Sequence, residues 1–363
     1  MQQETQFDLI VVGGGTAGAF SAIAAAREGL KVAVVERGTC LGGLAASSGL
    51  TEMNAAGFQG APLYRGIERE VFDRLIWGGH AAYHFAVPMS SNKEVKIDRL
   101  RYDPERLKLL LEQLAVEAGI TLLYETELTA AREGEEECQI TARGPYQEIA
   151  LSGKYLIDAT GNASLVQALG GETEAADERE RMIATLMFRI SNVDLDQLDA
   201  FIHSPRLGET IRQGRESGVL KGGILAFTPI PGTRDVSLNV TRAKFDHEDL
   251  ERMTCFEDRV ACGCYPMDLH DPVTNTVVWK MLPGVYHIPY RSLLPLGMKR
   301  TLAAGKCLSA DPKAFGAVRV MPIMMNVGES AGYAAALALR ENKTLDQISS
   351  ASLRSCLDQK YGV

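Results

Sequence analysis

The run Phe7-Asp8-Leu9-Ile10-Val11-Val12 is apolar apart from Asp8 and leads straight into Gly13-Gly14-Gly15-Thr16-Ala17-Gly18. An Ala-rich stretch over 17–27 follows, and Val32-Ala33-Val34-Val35 then ends at Glu36. Short continuous apolar runs bounded by glycine read as strands covered on both faces, with the small-residue stretch as a helix packed close to their sheet. The passage from Gly38 to Thr51, with Gly38, Gly42, Gly43 and Gly49 in it, has no period and reads as a loop. A polar helix is expected over 66–77, then an irregular segment as far as Arg99. Tyr102-Asp103-Pro104-Glu105 opens another helix, with Asp103 as N-cap and Pro104 at the first helical position. Leu107, Leu110, Leu111, Leu114 and Ala118 recur along it at helical spacing. A buried strand is expected over 120–124.

Between Glu127 and Ile157 the pattern turns to alternation, as in Glu137-Cys138-Gln139-Ile140-Thr141-Ala142, which predicts a small antiparallel insertion. Lys154-Tyr155-Leu156-Ile157-Asp158-Ala159-Thr160-Gly161 then reads as a strand ending in a turn. From about Met182 the register changes, and Leu186 to Ile190, Gly223 to Phe227 and Asp235 to Val240 look like strands of a second sheet. Thr301-Leu302-Ala303-Ala304-Gly305-Lys306 and a small-residue helix over 322–339 return to the first type of pattern. The fold class this implies is α/β: a Rossmann-like domain with a central parallel sheet, formed by residues 1–180 and 298–363, interrupted by a mixed or antiparallel-sheet substrate domain at 181–297.

Composition narrows the classes of function. Hydrophobic residues make up 46% of the 363 and charged residues 23%, as in an ordinary globular enzyme. A net charge of −8 argues against a nucleic-acid surface and favours a small-molecule substrate. No stretch approaches the roughly 20 apolar residues of a membrane span, and the first residues lack the basic start and apolar centre of a secretion signal. A cytoplasmic protein that makes no membrane contact is expected, its oligomeric state left open. The seven cysteines are scattered, so reduced thiols are expected rather than a disulfide framework.

The N-terminal unit carries the first chemistry. Gly13 permits a tight turn, Gly15 lets a diphosphate approach the backbone, and Gly18 lets the helix pack close to the sheet, while the helix start offers free N–H groups to the anion. Glu36 follows Gly18 by 18 positions, near the usual roughly 20 for the acid that binds an adenosine ribose. A dinucleotide site is expected here, the alternative being a merely glycine-rich turn. No second GxGxxG occurs in the chain.

Two further segments, Asp158-Ala159-Thr160-Gly161 and Ala304-Gly305-Lys306-Cys307-Leu308-Ser309-Ala310-Asp311, complete a set that resembles the FAD-dependent oxidoreductases of the glutathione-reductase-like class. More narrowly, 263–270, 286–295 and Phe315-Gly316-Ala317-Val318-Arg319-Val320-Met321-Pro322 resemble a bacterial FAD-dependent oxidoreductase family with no single settled substrate. The resemblance implies non-covalent FAD held by Gly13, Gly15, Thr16, Ala17, Gly18, Glu36, Arg37, Gly42, Gly43, Leu128, Ala159, Thr160, Gly161, Gly305 and Asp311. Members of that family carry a longer helical segment between Thr241-Arg242 and His247-Glu248-Asp249-Leu250, which here nearly abut.

A flavin that accepts a hydride gains negative charge at its N1–C2=O edge. Arg319 and the helix start at Met321-Pro322 are candidates to meet it; a surface or domain-bridging arginine is the alternative. Arg291 is a candidate carboxylate clamp, or else an interdomain ion pair. His270, among Asp268 and Asp271, is the best-placed proton acceptor, or else a structural histidine. Cys262-Gly263-Cys264 lacks redox CxxC spacing and a second pair of zinc ligands, so structural thiols and no metal are expected. Met321, Met324 and Met325 read as core, and Glu68, Glu70 and 133–137 as solvated faces. The functions in view are hydride transfer between a small organic substrate and FAD, a flavin monooxygenase, and a non-catalytic FAD-binding protein.

Overall fold

The computed structural model describes residues 5–88, 94–173, 187–217, 226–239, 257–270, 277–280, 282, 284–310 and 312–361. The opening unit is β1 (Thr5–Val12), α1 (Thr16–Arg27) and β2 (Val32–Val35). Leu9, Ile10 and Val11 are fully buried, as a strand with both faces covered requires.

The chain then forms α2 (Leu44–Ser47), β3 (Glu52–Phe58), β4 (Ala61–Pro62), α3 (Gly66–Trp77), β5 (Ala81–Pro88) and β6 (Lys96–Tyr102). The supposed irregular segment up to Arg99 is in fact half of a four-stranded antiparallel sheet, β4-β3-β6-β5. Its alternation is hidden because β3 shifts register between Asn54 and Gly57, and β5 between His84 and Val87, with Ala55 and Ala86 at positive φ. The β5 shift inserts one residue and moves later side chains to the other face, so no period-2 run survives along that strand. Asp98 on β6 holds the distortions in place, accepting from Gly60 N at 2.9 Å and Ala86 N at 2.7 Å.

Next come α4 (Pro104–Glu117) and β7 (Thr121–Leu123). Asp103 accepts from Glu105 N at 2.9 Å, the N-cap bond its position predicts, and Leu107, Leu111 and Leu114 are fully buried. Strand β7 is only partly buried, since it forms the edge of the large sheet. The meander β8 (Glu127–Glu133), β9 (Cys138–Arg143) and β10 (Glu148–Asp158) follows, with α5 (Ser164–Ala168) after it. Strand β10 pairs antiparallel with β9 through its first half and parallel with β1 over most of its length.

The next stretch contains β11 (Met187–Ile190), α6 (Leu195–Ile202), α7 (Pro205–Glu216), β12 (Ala226–Pro229), β13 (Val236–Asn239), β14 (Arg259–Gly263), β15 (Met267–His270), β16 (Val277–Lys280) and β17 (Tyr286–Pro289). Its ladders among the described residues are antiparallel: β11-β13-β12, β14-β17 and β15-β16. The start of the second pattern at Met182, the strand positions at Gly223 to Leu225 and the shortened passage at 241–250 lie outside the described residues. Strand β18 (Thr301–Ala303) then joins the large sheet beside β10, followed by α8 (Pro312–Val318), α9 (Met321–Glu341) and α10 (Ser350–Tyr361).

Five parallel strands thus lie in the order β7-β2-β1-β10-β18, the doubly wound order whose crevice opens where the strand sequence reverses, between β1 and β10. Helix α9 packs backbone to backbone on α1. A Cβ added to Gly328 would lie 2.1 Å from Ala17 O, and one added to Gly332 would lie 2.3 Å from Ser21 O. Met324 and Met325 are core, as expected.

Glu68 corrects the reading of a solvated face. It is 1% exposed, and the Asn326 side chain on α9 donates to it. Glu329, also on α9, accepts from Ile67 N at 3.2 Å and so caps the first turn of α3. Burial pushes both carboxyls up, Glu329 to about 7. Glu70, two residues on, keeps to the rim and pairs with Arg27 and Arg74.

Candidate functional site

The turns after β1, β10 and β18 meet at the carboxyl edge of the parallel sheet. Gly13, at φ +98°, has no room for a side chain: a Cβ would lie 2.4 Å from Ala159 O. At Gly18 a Cβ would lie 1.8 Å from Gly13 O. Gly15 is different, because the nearest atom to a Cβ there is 4.0 Å away and the space above it is open. Gly15 is the N-cap of α1, with no side-chain cap and no acid in the first turn, so the N–H groups of Thr16, Ala17 and Gly18 point into that space without an intrahelical acceptor.

The loop after β2 lies across this turn. Gly42 N donates to Gly14 O at 2.8 Å, and a Cβ on Gly43 would stand 3.0 Å from Gly15 Cα. Glu36 accepts from Gly14 N at 2.6 Å and from Gly38 N, which leaves about half of its lone-pair sites for ribose hydroxyls. Arg37 is exposed beside it. Leu128 lies on β8, packed at the margin of the small core between the meander and the large sheet.

The second turn is built on Asp158, which sequence reasoning passed over as a site residue. Fully buried at the end of β10, it accepts from Thr160 N at 3.0 Å, Thr160 Oγ1 at 2.7 Å and Val166 N at 2.9 Å. The signal was present: an Asp two residues before a Thr at a strand end is the composition of an Asx turn. Ala159 and Gly161, the latter at φ +80°, complete the bend. In the third turn Gly305, at φ +95°, sits against α1, where a Cβ would meet Ala17 Cβ at 2.9 Å. Asp311 lies outside the described residues.

Arg319 stands in the short link between α8 and α9. Its guanidinium donates to Asp268 on β15 at 3.0 Å, and its Nε is buried with no hydrogen-bond partner among the described residues. Helix α9 starts beside it with Pro322 in the first turn and no side-chain cap. The Tyr286 hydroxyl donates to Ala317 O at 2.9 Å and fixes the end of α8. The Arg319 side chain is 24% exposed, so a partly accessible guanidinium beside an uncapped helix start makes this an electropositive position. Arg291 follows β17, 58% exposed at its side chain and paired with Asp258. His270 ends β15 opposite Val277, and its side chain lies outside the described residues.

Burial pushes up the thiols of Cys40, Cys262 and Cys264, the last to about 12, which keeps them protonated at neutral pH and unsuited to dithiol exchange. Among the described residues no group of His, Cys, Asp and Glu could hold a metal ion, and no helix is long and apolar enough to cross a membrane.

The arrangement fits an adenine dinucleotide: an open cradle over Gly15, orphan N–H groups on α1, spare carboxylate capacity at Glu36, and a partly exposed guanidinium at Arg319. Solved structures share the fold. A geranylgeranyl bacteriochlorophyll reductase-like protein from Thermoplasma acidophilum is similar at 13% identity and a TM-score of 0.55, over 99% of this chain and 85% of that one. PyrE3, a Diels-Alderase of pyrroindomycin biosynthesis, gives 19% and 0.52, over 98% and 69%. PqsL from P. aeruginosa, in complex with 2-aminobenzoylacetate, gives 16% and 0.50, over 98% and 92%. At these identities the likeness establishes the fold alone. No curated protein matches the chain. The sequence pattern of the FAD dependent oxidoreductase family matches residues 8–216 and 210–357, taking in all three turns and the α8–α9 link. The chain therefore belongs to that family, and FAD is its cofactor.

Proposed function

We propose that the protein transfers a hydride between a small, carboxylate-bearing organic substrate and the flavin. When bound, FAD supplies the two-electron chemistry. The protein's part is to bind, orient and polarise. The turn at 13–18 and the N–H groups of α1 hold the diphosphate, with Glu36 on the adenosine ribose. Arg319, fixed by Asp268, would offer the exposed part of its guanidinium to the edge of the pyrimidine ring where negative charge grows, and the uncapped start of α9 would add to the same potential. Arg291 offers the exposed part of its guanidinium to the substrate carboxylate. His270 takes the substrate proton, its basicity modulated by Asp268 two residues away.

The observation that carries this reading is the partly exposed Arg319 guanidinium, held by Asp268, beside the uncapped helix. Anaerobic titration of the yellow protein with a panel of 2-hydroxy, 2-amino and unsaturated carboxylates tests it. A member of the panel is expected to bleach the flavin, and Arg319→Gln to slow that bleaching by about 100-fold, the usual effect of removing one donor from a site of developing charge. Bleaching as fast in Arg319→Gln as in the wild type refutes the assignment. Reduction only by NADPH, with oxygen consumed, refutes hydride transfer from the organic substrate.

A further inference from the structure

We propose that Lys306 is a ligand of the FAD diphosphate, supplying from the turn after β18 a cation that the glycine turn itself lacks. The inference rests on FAD occupying the crevice between β1 and β10. Three placements bring the lysine there. Its neighbour Gly305 touches the first turn of α1, with a Cβ position 2.9 Å from Ala17 Cβ. Its own Cε and Nζ lie 3.4 and 3.9 Å from the Cβ position of Gly161, in the turn after β10. Cys307, the next residue, is anchored on the same strand end through a contact of Sγ with Asp158 O at 3.1 Å. The lysine thus runs from the start of α1 to the turn after β10, the two elements that border the switch point.

Charge points the same way. The neighbours that act on Lys306 electrostatically are Arg319 and Cys307; partial desolvation of this solvent-exposed side chain and the like charge of Arg319 both push the ammonium pKa below its usual range. The two cations thus repel one another, and the single carboxylate paired with Arg319 among the described residues is Asp268. A dianion in the crevice relieves that repulsion. A lysine suits the task as a compact charge with three rotatable donors, serving phosphate oxygens whose directions the protein backbone has already fixed.

The test uses the apoprotein of the full chain with FAD, ADP and adenosine as probes, in wild type, Lys306→Gln and Lys306→Arg, with the reduction potential of the reconstituted flavin measured alongside. Lys306→Gln is expected to weaken FAD and ADP alike by about 10- to 100-fold, to leave adenosine unaffected, and to keep the flavin potential unchanged. Lys306→Arg is expected to restore most of the affinity. Raising the salt concentration should weaken FAD binding more in wild type than in Lys306→Gln. Unchanged FAD and ADP affinities overturn the proposal. So does a lowered flavin potential with intact ADP binding, which puts Lys306 at the ring instead. A wild-type protein that binds none of the three ligands removes the FAD reading itself, an outcome distinct from either.

Discussion

Gly15 and Gly18 lie three residues apart in one turn, yet the structure assigns them opposite costs on substitution by alanine. At Gly18 the added methyl would fall 1.8 Å from Gly13 O, 2.9 Å from Gly13 C and 3.1 Å from Ala159 Cβ. Two of these are backbone atoms, which cannot swing aside, so α1 must move away from the sheet. Overpacking of this kind costs about 1–3 kcal/mol, more than offsetting the roughly 0.5–1 kcal/mol that alanine gains over glycine inside a helix. At Gly15 the backbone is at φ −62°, ψ −171°, which alanine adopts freely, and nothing lies closer than 4.0 Å. Reduced freedom of the unfolded chain favours alanine there by about 0.4–1 kcal/mol, and the poorer N-cap opposes it by a similar amount, so the net change is close to zero. The methyl does, however, fill the cradle where a diphosphate meets the backbone. Gly15→Ala is therefore expected to keep the thermal midpoint of the apoprotein while losing FAD affinity by at least about 10-fold, and Gly18→Ala to lower both. Differential scanning fluorimetry of the apoproteins and quenching of FAD fluorescence read the two quantities separately. Tight FAD binding by Gly15→Ala, or a Gly18→Ala apoprotein as stable as wild type, would refute the packing argument.

The carboxyl pair between α3 and α9 makes stability depend on pH with a definite sign. Glu329 is raised from 4.5 to about 7 by burial, so the folded state keeps a proton that the unfolded chain loses between those values. The stability this provides is complete below about pH 4.5 and is lost as pH rises to about 7, on the order of 3 kcal/mol in all, with buried Glu68 acting in the same direction. Glu329→Gln, which still accepts from the α3 backbone, should flatten that decline in urea midpoints taken between pH 5 and pH 7.5; an unaltered slope would rule out Glu329 as its source. At Tyr83 the hydroxyl occupies the position of a Gly57 Cβ, 1.7 Å from it, and is buried with no hydrogen-bond partner among the described residues. Tyr83→Phe removes a polar atom that gains nothing, so chemical denaturation should show unchanged stability or a rise of up to about 1 kcal/mol, and a loss above that size would reveal a partner for the hydroxyl.

The parts of the fold legible in the sequence are those whose signal is local. Leu9 to Val12 could only be a strand covered on both faces, Asp103-Pro104 could only open a helix, and the spacing of Gly13, Gly15, Gly18 and Glu36 encodes a turn whose steric demands involve near neighbours. The four-stranded sheet was illegible because the one-residue bulge in β5 reverses the side-chain phase, and its position depends on a carboxylate, Asp98, supplied by a neighbouring strand. Glu68 was misread for a related reason: helix periodicity reports which face is polar, and α9, more than 250 residues further along, arrives to bury it.

By itself the sequence determined that this chain begins with a nucleotide-binding βαβ unit, and its resemblance to a flavoprotein family implied that three distant glycine-containing turns belong to one cofactor. Tertiary structure alone decided the order β7-β2-β1-β10-β18, which brings those turns to one crevice, and the pairing of Arg319 with Asp268. Backbone sterics and hydrogen bonding act over a few residues and leave their mark in short motifs. The burial of a charge, or the partner of a guanidinium, depends on which segment packs against it, and no local pattern carries that information.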